Sequence, residues 1–185
     1  MPLIPAFLDE LRGIVGADGL VLTTEGRMTY ESDMHTSYKG AADAVVLATR
    51  PEQVQAVVKL CRRERVPIVP RGSGTGLIGG AMAAQGGVMV SMTRMAAVLD
   101  VDLPNRWATV QPGLINLWLT HAVAERGWFF APDPSSQMVS SIGGNVSTNA
   151  GGPHCLKYGI TTNHVLGLQI VTGAGDLVWL GGKVA

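Results

Sequence analysis

The sequence predicts an α+β fold in which a small βαβ lobe precedes a larger lobe of mixed or antiparallel sheet with flanking helices. Two short apolar strands separated by an amphipathic helix predict the first lobe. Two hairpin patterns and a further apolar helix, all beyond residue 90, predict the second lobe. We divide the chain into a lead-in at 1–40 and one domain at 41–185, with lobes at about 41–80 and 81–185.

The lead-in begins with a predicted helix. Apolar residues recur at helical spacing between Ile4 and Val15, and the pattern ends near Gly16, which suits a helix C-terminus. The pattern of residues 21–39 is irregular, and no element is predicted there.

The first lobe is predicted from two strands and one helix. Residues 44–48 form a short apolar strand, and Pro51 then suits the first turn of a helix because its missing N–H is not needed there. Apolar residues from Val54 to Cys61 share one helical face, and residues 66–69 form the returning strand. A right-handed crossover is expected for such a unit.

The second lobe is predicted from hairpins. Residues 88–92 read as a strand, and residues 98–102 and 107–111 flank a turn. A helix follows over 115–123 and stops before Gly127, and strands at 165–171 and 177–180 flank another turn. No internal repeat is present.

Composition excludes several classes of protein. An apolar share of 46%, a charged share of 15% and zero formal net charge indicate a globular protein with no nucleic-acid footprint. Two cysteines and four scattered histidines predict neither a disulfide framework nor a metal site. Cys61 is predicted to lie in the core. No apolar run could span a bilayer and no basic leader is present, so we expect a cytoplasmic protein without a transmembrane segment.

Residues 141–152, which read SIGGNVSTNAGG, form the most informative segment. A helix is not expected there, because glycine and asparagine are poor helix formers and hydroxyl side chains compete for backbone hydrogen bonds. A long strand is not expected either. The composition favours a backbone that approaches a ligand closely and binds it through N–H groups, with a polar surface loop as the alternative.

A second glycine-rich segment, residues 70–80, follows a predicted strand. Gly74, Gly76 and Gly79 match the dinucleotide pattern G-x-G-x-x-G. That pattern requires a crossover helix after the loop, and too few residues separate this loop from the next strand to form one. A Rossmann site is therefore not predicted. We expect instead a cluster of backbone N–H groups beside Arg71 that can hold a pyrophosphate.

Two further polar loops, residues 111–113 and 132–136, adjoin predicted strands. Taken alone, neither indicates a function. Together with 70–80 and 141–152 they could converge on one sheet edge and surround an extended, phosphate-bearing ligand.

These segments, in this order, resemble a known family. Residues 69–77 (VPRGSGTGL), 132–136 (PDPSS), 141–152 and 157–159 (KYG) are similar to the FAD-binding domain of FAD-linked oxidases of the vanillyl-alcohol oxidase type. The nearest subgroup is the glycolate oxidase D subunit, with D-lactate and D-2-hydroxyglutarate dehydrogenases. The resemblance runs from about residue 30 to residue 184.

The resemblance implies a set of cofactor-binding residues. Backbone N–H groups of the first loop would bind the FAD pyrophosphate, the next two loops would line the flavin and its ribityl-phosphate chain, three residues would lie behind them, and one would lie near the adenine. In that order they are Arg71, Gly72, Ser73, Gly74, Thr75, Gly76 and Gly79; Pro132, Asp133, Ser135, Ser136, Ser141, Gly143, Gly144, Asn145, Ser147 and Thr148; Gly152, Tyr158 and Gly159; and Val165.

The resemblance also implies the chemistry. Relatives that attach flavin covalently through the first loop carry histidine where this chain has Thr75, so non-covalent FAD is expected. The implied activity is oxidation of a 2-hydroxy acid of the glycolate or D-lactate type to the 2-oxo acid, with electrons passed to an acceptor or partner subunit. A flavin-binding module without catalytic activity and an apo structural domain are the alternatives.

The family pattern extends beyond what this sequence contains. In the family, a further glycine-rich segment completes the sheet and a cap domain supplies substrate-binding residues. No catalytic residue can therefore be assigned, and we expect an incomplete domain that is inactive alone. Uncovered sheet edges would favour self-association.

Overall fold

The computed structural model describes residues 3–182, so the last part of the predicted domain, 183–185, lies outside the described residues. The helices are α1 (Pro5–Val15), α2 (Thr24–Met28), α3 (Pro51–Glu64), α4 (Asn116–Ala124), α5 (Ile142–Thr148) and α6 (Cys155–Tyr158). The strands are β1 (Leu20–Val21), β2 (Ala44–Leu47), β3 (Ile68–Arg71), β4 (Val88–Ser91), β5 (Val98–Asp102), β6 (Trp107–Val110), β7 (Gly167–Val171) and β8 (Leu177–Gly181).

The first sheet has the strand order β1-β2-β4-β3. Strands β2, β4 and β3 are parallel, and β1 pairs antiparallel with β2. The predicted strand–helix–strand unit is present as β2, α3 and β3, but β4 lies between its two strands. Every residue of β4 is buried, which explains its central position, because an inner strand of a parallel sheet is covered on both faces. The sheet thus takes β1 from the lead-in and β4 from beyond residue 80.

Apolar side chains cover both faces of this sheet. Helices α1 and α3 pack on one face, where Leu11, Val57 and Cys61 are fully buried against Val46 and Val90. This confirms Cys61 as a core residue, and burial raises the pKa of its thiol to about 12. On the other face Ala42, Val45, Ala83 and Met89 form a smaller buried cluster.

The rest of the chain forms two separate hairpins, β5–β6 and β7–β8, both antiparallel. Both hairpins were predicted. Helix α4 lies beyond the first hairpin. Its residue Leu119 and Leu114, which precedes the helix, form a further apolar cluster with Ile142 of α5. No helix within residues 3–182 is long and apolar enough to cross a membrane.

The expectation that 141–152 would not be helical is wrong, because residues 142–148 form α5. Contacts outside the helix override the poor intrinsic propensities. The amides of Ile142 and Gly143 donate to the carbonyls of Leu114 and Pro112, both at 2.8 Å. The hydroxyls of Ser147 and Thr148 donate back to carbonyls one turn earlier, at 2.8 Å and 3.0 Å, instead of competing with the helix.

The lead-in is also more ordered than the sequence suggests. Residues 21–39 contain the end of β1 and the whole of α2, whose N-cap is Thr23. The hydroxyl of Thr23 accepts a hydrogen bond from the Gly26 amide at 3.2 Å. Two-residue strands and one-turn helices leave no periodic pattern, so sequence analysis could not detect them.

Candidate functional site

A wide groove runs between the first sheet and the two hairpins. It encloses about 2170 Å³, which exceeds the roughly 300–1,000 Å³ of a pocket for a drug-sized ligand and leaves room for a dinucleotide. The glycine loop after β3 (residues 72–80), the loop at 134–136 and helix α5 all line this groove. Strands β6 and β7 line the remainder with largely apolar side chains.

The glycine loop presents unpaired donors to this groove. Within the described chain, no backbone amide of residues 72–78 donates a hydrogen bond to a protein acceptor. Residues 72–76 are half-buried and line the groove, and consecutive backbone amides without protein acceptors in such a loop can bind an anionic ligand.

The side chain of Arg71 lies against Gly74 of the loop. Its guanidinium donates to the carbonyl oxygens of Ala81 and Ser32, both at 2.9 Å, and lies over the ring of Tyr30. Burial lowers the pKa of this guanidinium, and the neighbouring carboxylate of Asp33 opposes that shift. An arginine remains charged in spite of such a shift, so Arg71 places a buried positive charge behind the loop.

Ser141 adds an unpartnered hydroxyl to the groove. It is 1% exposed, and its Oγ has no hydrogen-bond partner among the described residues. The hydroxyl lies against Gly72, where a Cβ atom would collide with it. A buried hydroxyl without a partner is costly, and the residue that carries this one lines the groove next to the free amides. The donor set therefore fits a phosphate-bearing cofactor such as FAD.

Two buried asparagines fix the position of α5. The Asn145 amide donates to Oδ1 of Asn116 at 2.9 Å, and the Asn116 amide donates to the carbonyl of Pro132 at 2.9 Å. Both side chains are nearly inaccessible to solvent. This network ties α4, α5 and the loop at 132–136 together, so the groove wall is held by polar contacts rather than by apolar packing alone.

The loop at 132–136 is also tied to the segment that follows α5. Nδ1 of His154 lies 2.8 Å from Oδ2 of Asp133, and the His154 amide donates to the same carboxylate. The backbone of Gly152 lies directly against the carbonyl of Asp133, where no Cβ would fit. Gly152 is therefore required by this close approach.

The structure brings most of the predicted cofactor-binding residues to one groove. Those that line it are Arg71, Gly72, Ser73, Gly74, Thr75, Gly76, Ser135, Ser136, Ser141, Gly143, Gly144, Asn145, Ser147, Thr148 and Val165. Those outside the lining are Gly79, Pro132, Asp133, Gly152, Tyr158 and Gly159. The amide of Gly79 donates to Asp33 at 2.9 Å and so already has a protein acceptor.

Sequence reasoning missed two parts of the site. Asn116 was not singled out, because its position in an apolar helix gives no sign of its buried amide contacts. Residues 29–40, here called the latch, lie against the glycine loop through Ser32, Asp33 and Met34. An irregular polar stretch carries no pattern that would have revealed this role.

The described residues contain no group of three or more side chains placed to hold a metal ion. His164 lines the groove, but its Nε2 is 2.8 Å from the carbonyl of Tyr158, which makes that nitrogen the hydrogen-bond donor. The geometry of the described groove residues therefore singles out no catalytic base.

Comparison with known proteins identifies a family and several relatives. The family described as FAD binding domain matches residues 42–181. The chain is 40% identical over 177 residues to glycolate oxidase subunit GlcD of Bacillus subtilis (strain 168), covering 96% of this chain and 38% of that protein. It is 46% identical over 174 residues to the GlcD subunit of Escherichia coli (strain K12), covering 94% and 35%.

Further similarity extends to a dehydrogenase and to solved structures. The chain is 40% identical to D-lactate dehydrogenase of Anaerostipes hadrus, covering 80% of this chain and 31% of that protein. An alkyldihydroxyacetonephosphate synthase structure superposes with a TM-score of 0.87 at 27% identity, covering 98% of this chain and 39% of that one. The predicted α+β fold of the vanillyl-alcohol oxidase type is confirmed. The chain spans less than two-fifths of the length of these proteins.

Gly152 provides a test of the groove wall. Gly152→Ala should destabilise the protein by about 1–3 kcal/mol, because the added methyl group must displace the Asp133 carbonyl. Gly13→Ala is the control, since Gly13 lies within α1 with open space around it, and it should stabilise the protein by about 0.5–1 kcal/mol. Urea unfolding of both variants measures the difference, and equal effects would contradict the assigned packing.

Proposed function

The chain belongs to the FAD binding domain family, and from this membership we propose that its groove holds FAD, with the diphosphate bound by the amides of residues 72–78. The run of unpaired amides on the groove wall is the observation that carries the proposal. An anion placed there would receive several N–H donors at once, with the charge of Arg71 behind them.

The remaining cofactor contacts are proposed from the groove lining. The flavin and ribityl chain would lie along Ser135, Ser136 and α5, with Ser141 donating its free hydroxyl to a cofactor oxygen. Gly152, Tyr158 and Gly159 would support this wall from behind, and Val165 would lie near the adenine. Because the Gly79 amide is already bonded to Asp33, Gly79 would shape the loop rather than bind phosphate.

We propose that the reaction is oxidation of a 2-hydroxy acid of the glycolate or D-lactate type to the 2-oxo acid. The support is similarity to a glycolate oxidase subunit and to a D-lactate dehydrogenase. Bound FAD would supply the acceptor for the hydride that leaves the hydroxyl-bearing carbon. The residues of this chain would bind and orient the cofactor and exclude water from its apolar side.

The alternative function is a flavin-binding module that acts only with a partner chain. It is favoured by the groove itself, which contains many binding groups and no identifiable base. We also infer self-association, because the β5–β6 and β7–β8 hairpins carry unpaired strand edges within the described chain. Sedimentation that remained monomeric as concentration rose would contradict that inference.

Ser141 and Ser140 form a matched pair for testing the cofactor site. Both are buried and neither hydroxyl has a partner among the described residues, but only Ser141 lines the groove. Ser141→Ala should raise the Kd for FAD by about tenfold, the effect of one lost hydrogen bond to a charged or polar group. Ser140→Ala should leave it unchanged. Flavin fluorescence titration measures both constants, and equal effects would remove Ser141 from the site.

Thr75 makes the attachment of FAD testable. A threonine hydroxyl does not form the bond to the flavin ring that a histidine can form, so FAD should be held non-covalently. Acid precipitation of the FAD-loaded protein should release all of the yellow colour into the supernatant. Flavin that remained with the precipitated protein would contradict this prediction.

Substrate addition distinguishes the two proposed functions. If the chain is catalytically sufficient, anaerobic glycolate or D-lactate should abolish the visible flavin absorbance of the loaded protein. Bound flavin that stays oxidised with both acids, yet loses its colour on addition of dithionite, would support the module instead. A protein that FAD cannot reconstitute would contradict both functions.

A further inference from the structure

Four hydrogen bonds hold the glycine loop and its ends. The Met34 amide donates to the carbonyl of Gly76 at 3.1 Å, and Oδ2 of Asp33 accepts from the Gly79 amide at 2.9 Å. The Arg71 guanidinium joins the carbonyls of Ala81 and Ser32, each at 2.9 Å. Three of these four hydrogen bonds connect the loop or its end to the latch, and the fourth, from Arg71 to Ala81, joins the two residues that flank the loop.

These contacts leave the ligand-binding groups free. They use the carbonyls of Gly76, Ala81 and Ser32 and the amide of Gly79, and they occupy no amide from residue 72 to residue 78. A loop so rich in glycine would otherwise sample many conformations, and ordering it on ligand binding would cost free energy. The contacts with the latch order the loop when the protein folds, so ligand binding does not have to order it. The amides are then already in place for an anion.

Asp33 has the central position in the latch. It is 6% exposed, and both of its carboxylate oxygens accept backbone hydrogen bonds, Oδ1 from the His35 amide at 2.8 Å and Oδ2 from Gly79. Its charge also lies near enough to Arg71 to stabilise the buried guanidinium. Asp33 thus fixes the latch, the end of the loop and the charge behind the loop together.

We propose that Asp33, which lines the groove with both carboxylate oxygens already hydrogen-bonded, is a positioning residue for the diphosphate of the bound cofactor and acts through the latch. The proposal rests on the proposed FAD site and adds a residue to it. It predicts that Asp33 contributes to the affinity for a diphosphate and not to the affinity for a nucleoside.

Asp43 provides a matched control at the opposite end of the sheet. Its Oδ2 also accepts from a glycine amide, that of Gly87 at 2.7 Å, but neither residue lines the groove. Asp33→Asn and Asp43→Asn therefore each weaken one carboxylate–glycine contact. ADP carries the diphosphate without the flavin, and adenosine lacks it, so the ratio of their Kd values measures the diphosphate contribution.

The experiment is a calorimetric titration of the full chain and both variants with ADP and with adenosine. Asp33→Asn should weaken ADP binding by at least about tenfold and leave adenosine binding unchanged, whereas Asp43→Asn should change neither. An unchanged ADP-to-adenosine ratio in Asp33→Asn would overturn the proposal, and so would equal losses in both variants. Wild-type protein that binds ADP no more tightly than adenosine would overturn the diphosphate site itself, and this proposal with it.

Arg71→Lys provides a second route if Asp33→Asn does not fold. Lysine keeps the positive charge but lacks the forked guanidinium that joins the carbonyls of Ser32 and Ala81. If the latch positions the loop, Arg71→Lys should also weaken ADP at least about tenfold while adenosine binding is retained. Wild-type affinity for ADP in this variant would show that charge alone suffices, and would overturn the role of the latch.

Discussion

The pairing of backbone amides is the constraint on which this structure depends. A loop that keeps the amides of residues 72–78 free cannot be stabilised by the hydrogen bonds that hold helices and sheets. Its conformation must come from its carbonyls, from its ends and from surrounding side chains. The buried guanidinium of Arg71 meets this requirement because it donates only, and its acceptors are carbonyls. The positive charge needed to attract an anion therefore also holds the loop in shape.

Helix α5, which also lines the groove, likewise depends on contacts from outside itself. Helix α5 contains residues that disfavour helices, and it forms because Pro112, Leu114 and Asn116 supply contacts from outside it. Its glycines allow close approach to the loop at 111–113 and to Gly72, which bulkier helix formers would prevent. The residues of α5 alone would therefore form a helix of low stability. The tertiary contacts that compensate for this also place Ser141 beside the glycine loop.

Helices and strands were predictable from the sequence where each carries its own periodic pattern of apolar residues. Helices α1, α3 and α4, the first-sheet strands after β1 and both hairpins follow from apolar spacing and turn residues. The glycine-rich segments identified the groove walls, since glycine and hydroxyl residues mark close backbone approach. The order of strands in the first sheet was not predictable, because a central position depends on which strand is covered on both faces. Residues 29–40 were missed because their contacts are side chain to backbone over distances of about forty residues along the chain.

The ligand of this chain can be inferred from its sequence more readily than the reaction. A diphosphate site is built from backbone amides, and a glycine-rich loop reveals these in the sequence itself. A catalytic base is a single side chain whose role depends on where a substrate lies relative to it. In the groove His164 is committed to the Tyr158 carbonyl, and Asp133 is committed to His154 outside the lining. The amides of residues 72–78 and the Ser141 hydroxyl are donors suited to an anionic cofactor, so the groove indicates the bound ligand more clearly than the reaction.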